Sequence, residues 1–205
     1  MKKYRDHYFL KAKQDNYPAR SVYKLKEMDR AFGLLGPGLK VLDLGACPGS
    51  WTMYAAEKVG PSGRVLAVDL NPLPVALPGQ ATFLQEDVFE RSPGFETLLR
   101  EWSPFDLVLS DMAPKTTGIK HADQAKSHYL AEEALGLARL VLRPGGNFAV
   151  KIFFGPDVQG FTMILRQEFT QVKTFKPKSS RSESKEIFLV GRGRKQKPNE
   201  GPPGN

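Results

Sequence analysis

Residues 41–51, VLDLGACPGSW, are an apolar run that closes in a glycine-containing turn and passes into the helical pattern SWTMYAAEKV at 50–59. A continuous apolar run reads as a strand buried on both faces, and the turn into a helix opens a strand–helix–strand unit. The same alternation continues outward from this stretch. Strands are predicted at 39–45, 64–70, 81–87, 105–112 and 147–154, with helices at 50–59, 94–102, 123–142 and 158–169. Arg143–Gly146, RPGG, reads as the turn that stops the longest helix. Two closing strands, 171–177 and 186–193, are joined only by the polar loop KSSRSESK, so they are expected to pair antiparallel at one edge. The expectation is an α/β fold: a seven-stranded, mostly parallel sheet with an antiparallel edge pair and helices on both faces. One domain is expected over 1–195, opening with a basic helical segment at 1–30, and a disordered tail over 196–205.

In a doubly wound sheet, ligands bind beyond the carboxyl ends of the strands. The first strand is followed by Asp43, Gly45, Pro48, Gly49 and Trp51, the second by Asp69, the third by Asp87 and the fourth by Asp111. Glycines at 45 and 49 let backbone approach a ligand closely. Asp69 is placed for ribose hydroxyls, and Asp87 for an adenine amino group. Taken singly, the glycines also read as a plain strand-to-helix turn, and Asp43 or Asp69 as a capping or surface carboxylate. Acidic or glycine-rich ends on four successive strands are harder to explain that way. A nicotinamide dinucleotide would want G-x-G-x-x-G and a run of backbone donors for its pyrophosphate. The turn here is G-A-C-P-G, and Pro48 removes one of those donors. S-adenosylmethionine has no phosphate and a cationic sulfonium, which suits acidic strand ends, so a Rossmann-like methyltransferase fold is expected. Trp51 is expected to belong to the core, and Cys47 to be a small turn residue without an activating neighbour.

The net charge is +8, and it is unevenly spread. Residues 1–30 hold nine Lys/Arg against four Asp/Glu, residues 31–170 twelve against fifteen, and residues 171–197 nine against two. Basic flanks on a slightly acidic body suit a polyanion such as RNA, although a solvated surface is the plainer alternative. Cys47 is the only cysteine, which excludes an intrachain disulfide or a cysteine-based metal cluster. No apolar run reaches bilayer length and no secretory pattern opens the chain, so a cytoplasmic monomer with no membrane partner is expected.

Lys151 sits inside the apolar run NFAVKIFF, where a lysine is costly unless paired or snorkelling. Asp111, at the end of the preceding strand, is its candidate partner. Lys24 lies in SVYKLKEM, whose apolar Val22, Leu25 and Met28 suggest a helix that packs down, and Glu186 opens the last strand. Alone, Lys24 also reads as a solvated helix face and Glu186 as an edge-strand charge.

The stretches PARSVYKLKEMD, VLDLGACPGSW, VLSDMAP, LVLRPGGNFAVKIF and KPKSSRSESKEIFLVGRG together resemble the FtsJ/RrmJ (RlmE) family of ribosomal RNA ribose 2′-O-methyltransferases, over residues 4–195. The resemblance implies a catalytic tetrad at Lys24, Asp111, Lys151 and Glu186. It implies S-adenosylmethionine contacts at Gly49, Trp51, Asp69, Asp87 and Asp111. It further implies ribosomal RNA of the large subunit as partner, with a uridine in the peptidyl-transferase region as target. Lys151 is then the expected general base, or a charged stabiliser of the developing alkoxide. Lys126 departs from the arginine expected after the fourth strand. The alternatives are a ribose methyltransferase of tRNA or another RNA, and a non-catalytic rRNA-binding assembly factor.

Overall fold

The computed structural model describes residues 7–196, so the tail from 197 onward lies outside the described residues. Two N-terminal helices, α1 (His7–Gln14) and α2 (Val22–Phe32), precede β1 (Lys40–Leu44) and α3 (Ser50–Val59). Then follow β2 (Arg64–Asp69), β3 (Ala81–Gln85), α4 (Pro93–Trp102), β4 (Phe105–Ser110) and α5 (Lys120–Val141). The chain closes with β5 (Leu142–Phe153), α6 (Asp157–Glu168), β6 (Phe169–Phe175) and β7 (Glu186–Arg194).

The seven strands lie in the order β3-β2-β1-β4-β5-β7-β6. The first five strands run parallel, and β7 is antiparallel to both β5 and β6. The expected closing pair is therefore present, but β7 inserts between β5 and β6. Strand alternation sends Val41, Val65, Leu107, Ala149 and Phe188 to one face, under α1, α2 and α3. Leu42, Leu66, Val108, Phe148 and Leu189 go to the other, under α4, α5 and α6. As their spacing suggested, Val22, Leu25 and Met28 are the buried stripe of α2.

Arg143–Gly146 is not simply a turn. The strand pairing steps from Phe105↔Leu142 directly to Leu107↔Asn147, so these residues bulge out within β5. Gly145 has a φ of +78°, which a glycine adopts without penalty, and the strand resumes in register beyond it. Other boundaries differ as well: β3 and β4 stop two residues early, at Gln85 and Ser110, β6 (Phe169–Phe175) lies two residues ahead of 171–177, and α5 begins at Lys120, ahead of Asp123.

The order of the strands reverses between β1 and β4, which makes their carboxyl ends the natural ligand crevice. Because β7 runs antiparallel, its first residue lies at that same end of the sheet. Phe153 pairs with Glu186, and Lys151 with Phe188. This register brings the start of the last strand to the tip of β5.

Candidate active site

Two cavities open along the carboxyl edge. One, of about 450 Å³, is lined by Gly45, Pro48, Asp69, Asp87, Asp111 and Lys151, among others. Glu86 adds a fourth carboxylate, and Lys151 is the only basic residue among the described residues of its lining. The second, of about 750 Å³, is lined by Lys24, Lys151 and Glu186 together with Arg20, Arg181 and Lys185. Both basic segments of the chain thus converge on this second cavity. Ser21, Ala113 and Lys151 belong to both linings, so Lys151 is the charged side chain in their common wall.

The Lys151 side chain is 7% exposed, and Nζ lies 2.9 Å from Asp111 Oδ1. Nζ also donates to the Asp111 backbone carbonyl at 2.5 Å. Lys24 Nζ lies 2.5 Å from Glu186 Oε1, which also accepts from the Ser180 hydroxyl at 3.0 Å. Burial pushes the Glu186 carboxyl up, but Lys24, Lys151 and the Ser180 hydroxyl outweigh it, leaving the group below its ordinary range. The four tetrad positions thus form two ion pairs, one from β4 and β5 and one from α2 and β7.

Local structure fixes these groups. Glu27, one turn beyond Lys24 on α2, accepts from the backbone N–H groups of Lys178 at 2.6 Å and Ser179 at 2.9 Å. Arg20 donates to the Ser179 carbonyl. The loop before β7 is therefore held against the N-terminal segment. That segment is fastened in turn to α3: Trp51 Nε1 donates to the Ser21 carbonyl at 2.8 Å, and the Ala19 N–H donates to Ser50 Oγ at 2.8 Å. Sequence reading missed Ser21, Glu27 and Glu86. The spacing of Lys24 and Glu27 on one helix was the available signal for Glu27.

On the acidic side, Asp69 Oδ2 accepts from the Cys47 N–H at 2.9 Å and Oδ1 from the Asn71 N–H at 2.8 Å. Asp87 Oδ1 accepts from the Phe89 N–H at 2.8 Å. Asp43, Gly49 and Trp51 do not line the cavity. Trp51 is buried against Phe188, as core residues are. Asp43 is fully buried; Oδ2 accepts from the Thr52 hydroxyl at 2.6 Å, while Oδ1 has no partner among the described residues. Burial pushes the Asp43 carboxyl up to about 7; the Thr52 hydroxyl opposes the rise, and Asp111 and Asp69 add to it. Burial and then Asp69 push the Cys47 thiol up as well, which keeps it unreactive.

Gly45 does more than admit a ligand. Its φ is +76°, and a Cβ there would lie 2.8 Å from the Met112 amide nitrogen and 2.9 Å from Met112 Cα. The backbones after β1 and β4 approach this closely only without a side chain. Gly45→Ala is expected to destabilise the fold by about 3 kcal/mol, from left-handed strain plus the backbone clash. Urea unfolding measures it, and a midpoint equal to wild type would refute the close-approach role.

No helix among the described residues is long and apolar enough to cross a membrane, and no group of His, Cys, Asp and Glu there is arranged to hold a metal ion.

The model of the FtsJ-like methyltransferase family matches residues 17–194. A protein of Oleidesulfovibrio alaskensis named ribosomal RNA large subunit methyltransferase E is 64% identical over 97% of this chain and 96% of its own. A protein of the same name from Lawsonia intracellularis is 52% identical over 96% of this chain and 98% of its own. A crystal structure of a ribosomal RNA methyltransferase from Plasmodium falciparum superposes with a TM-score of 0.75 at 25% identity, covering 87% of this chain and 98% of that one.

Proposed function

Because the chain belongs to the FtsJ-like methyltransferase family, we propose that it transfers the methyl group of S-adenosylmethionine to a ribose 2′-hydroxyl of large-subunit ribosomal RNA, with a uridine of the 23S molecule as target. The observation that supports this reading is Lys151, standing between an acidic cavity and a basic one. In this reading residues 1–195 act as one methyltransferase domain, whose N-terminal segment supplies Lys24.

S-adenosylmethionine, when bound, supplies an electrophilic methyl group on a sulfonium. The residues of the acidic cavity fit that cation: Asp69, Glu86, Asp87 and Asp111 face it against one lysine. Asp69, already organised by the 46–49 turn, accepts from ribose hydroxyls. Asp87, with Oδ1 engaged by Phe89, offers Oδ2 to an adenine amino group. Asp43, fully buried on β1 and bonded to the Thr52 hydroxyl, ties β1 to α3 beneath the turn and does not touch the ligand. Gly49 and Trp51 contribute by shaping the turn and anchoring Ser21, not by touching the ligand with side chains.

In the basic cavity, Lys24 positions the 2′-hydroxyl and Glu186 holds Lys24. Lys151 Nζ spends two donors on Asp111, which leaves one tetrahedral direction for the ribose oxygen. That direction holds a lone pair on the amine or a proton on the ammonium. We assign it the base role: the hydroxyl proton passes to Lys151 Nζ as the oxygen attacks, while the backbone and carboxylate of Asp111 hold the nitrogen still.

The test is incubation of deproteinised rRNA and of intact large subunits with labelled S-adenosylmethionine, followed by mapping of the modified nucleotide. Label is expected on one ribose of the large-subunit rRNA. Label on a base, or on tRNA alone, would refute the reading. RNA binding is also expected to weaken steeply with salt. Neutralising about three phosphates of a single strand gives roughly a twentyfold loss of affinity for a fourfold rise in salt. Fluorescence anisotropy measures this, and a flat profile would show that the basic segments do not contact phosphate.

A further inference from the structure

We propose that the cleft between α5 and α6, beyond the tip of β5, is a second nucleotide subsite that takes a single-stranded nucleotide next to the methylated one. This rests on the RNA reading above. The cleft is lined by Lys120, His121, Gln124, Phe154, Met163 and Arg166, among others. Lys120 and Gln124 also line the basic cavity, so the two spaces adjoin. Strand alternation explains the arrangement: Lys151 and Phe153 project on one side of β5, and Phe154 emerges on the other. A strand laid over the tip of β5 passes from one space to the other.

The chemistry of the cleft is that of a single-strand platform. Among the described residues its lining holds Lys120, His121 and Arg166 and no acidic residue, although residues 31–170 carry fifteen acids against twelve Lys/Arg. Phe154 is 65% exposed, yet its backbone is clamped on both sides. Its N–H donates to the Lys185 carbonyl at 2.8 Å, and its carbonyl accepts from Gln124 Nε2 at 2.6 Å. An exposed aromatic on a fixed backbone presents a flat face at little entropic cost, which is what base stacking uses. Gln124 is 7% exposed, and its Oε1 has no partner among the described residues, leaving an acceptor where the two spaces meet. Gly155 makes this packing possible, because a Cβ there would lie 2.8 Å from Gln124 Nε2. The base is placed on Phe154 beside Met163, and the flanking phosphates on Lys120 and Arg166.

Steady-state methylation of a large-subunit rRNA fragment by wild type, Phe154→Ala and Phe154→Trp tests this. Phe154→Ala is expected to raise KM for RNA about tenfold with kcat and cofactor affinity unchanged, and Phe154→Trp to stay close to wild type. A KM within twofold of wild type for Phe154→Ala, or an equal loss in Phe154→Trp, overturns the subsite. If wild type methylates no rRNA, the functional reading fails by itself. The subsite is then decided by anisotropy with a short fluorescent oligouridylate. There Phe154→Ala is expected to bind about tenfold more weakly, and equal affinity overturns the proposal.

Discussion

Replacing Lys151 with alanine is expected to lower kcat for methyl transfer by about 10²- to 10⁴-fold while cofactor affinity stays within a few-fold of wild type. The asymmetry follows from position. Lys151 stands in the wall between the cavities, and its amine is paired with Asp111. Removing it frees the Asp111 carboxylate, which adds to the acidity that suits a cationic ligand. In the base reading the reacting oxygen, in contrast, loses its proton acceptor. Lys151→Arg separates the two chemical roles. A guanidinium keeps the charge and the donors but has no lone pair to give near neutral pH. If the amine acts as base, arginine is as inactive as alanine. If charge alone matters, arginine recovers part of the rate. Single-turnover kinetics at saturating cofactor read the effect, and an alanine variant within threefold of wild type would remove Lys151 from the mechanism.

Asp43→Asn is expected to stabilise the protein by a few kcal/mol at about pH 8 and to change it little at about pH 4. The carboxyl is pushed from 3.8 to about 7 by full burial. An acid whose folded-state pKa lies above its unfolded value contributes stability that is complete below the unfolded value and is lost as pH rises through the folded one. Wild-type stability from this group therefore declines between about pH 4 and pH 7, a window worth ~4 kcal/mol at 1.36 kcal/mol per unit. Asparagine remains neutral throughout and keeps an oxygen for the Thr52 hydroxyl. Urea unfolding at the two pH values measures the effect. Equal stability differences at both pH values would refute the buried-acid account.

Much of this was legible in the sequence because apolar strands and periodic helices are local patterns. The bulge at Arg143–Gly146 was not, since Pro and Gly signal a break in the helix without telling whether the next strand has already begun pairing. The start of α5 was misplaced for a related reason. Asp123 resembles a helix cap, but it lies inside the helix and reaches back to accept from the Thr117 and Gly118 N–H groups. At the site, the tetrad rested on family resemblance, and only the Lys151–Asp111 pairing was anticipated from adjacent strands. The Lys24–Glu186 pair depends on the insertion of β7 beside β5, a long-range choice with no local signature. Gly45 was read as admitting a ligand close to the backbone, and the backbone it admits in the fold is that of Met112.

Among the described residues, the last strand in chain order, β7, is not at the edge of the sheet. With β7 seated between β5 and β6, a growing chain that has not yet passed residue 186 lacks Glu186 and leaves the neighbouring edges of β5 and β6 unpaired. Such edges are templates for pairing with other chains. Both problems are solved in one event when the carboxyl-terminal strand zips into the gap. A chain that has not grown past residue 186 therefore lacks both the partner of those edges and the Lys24–Glu186 ion pair.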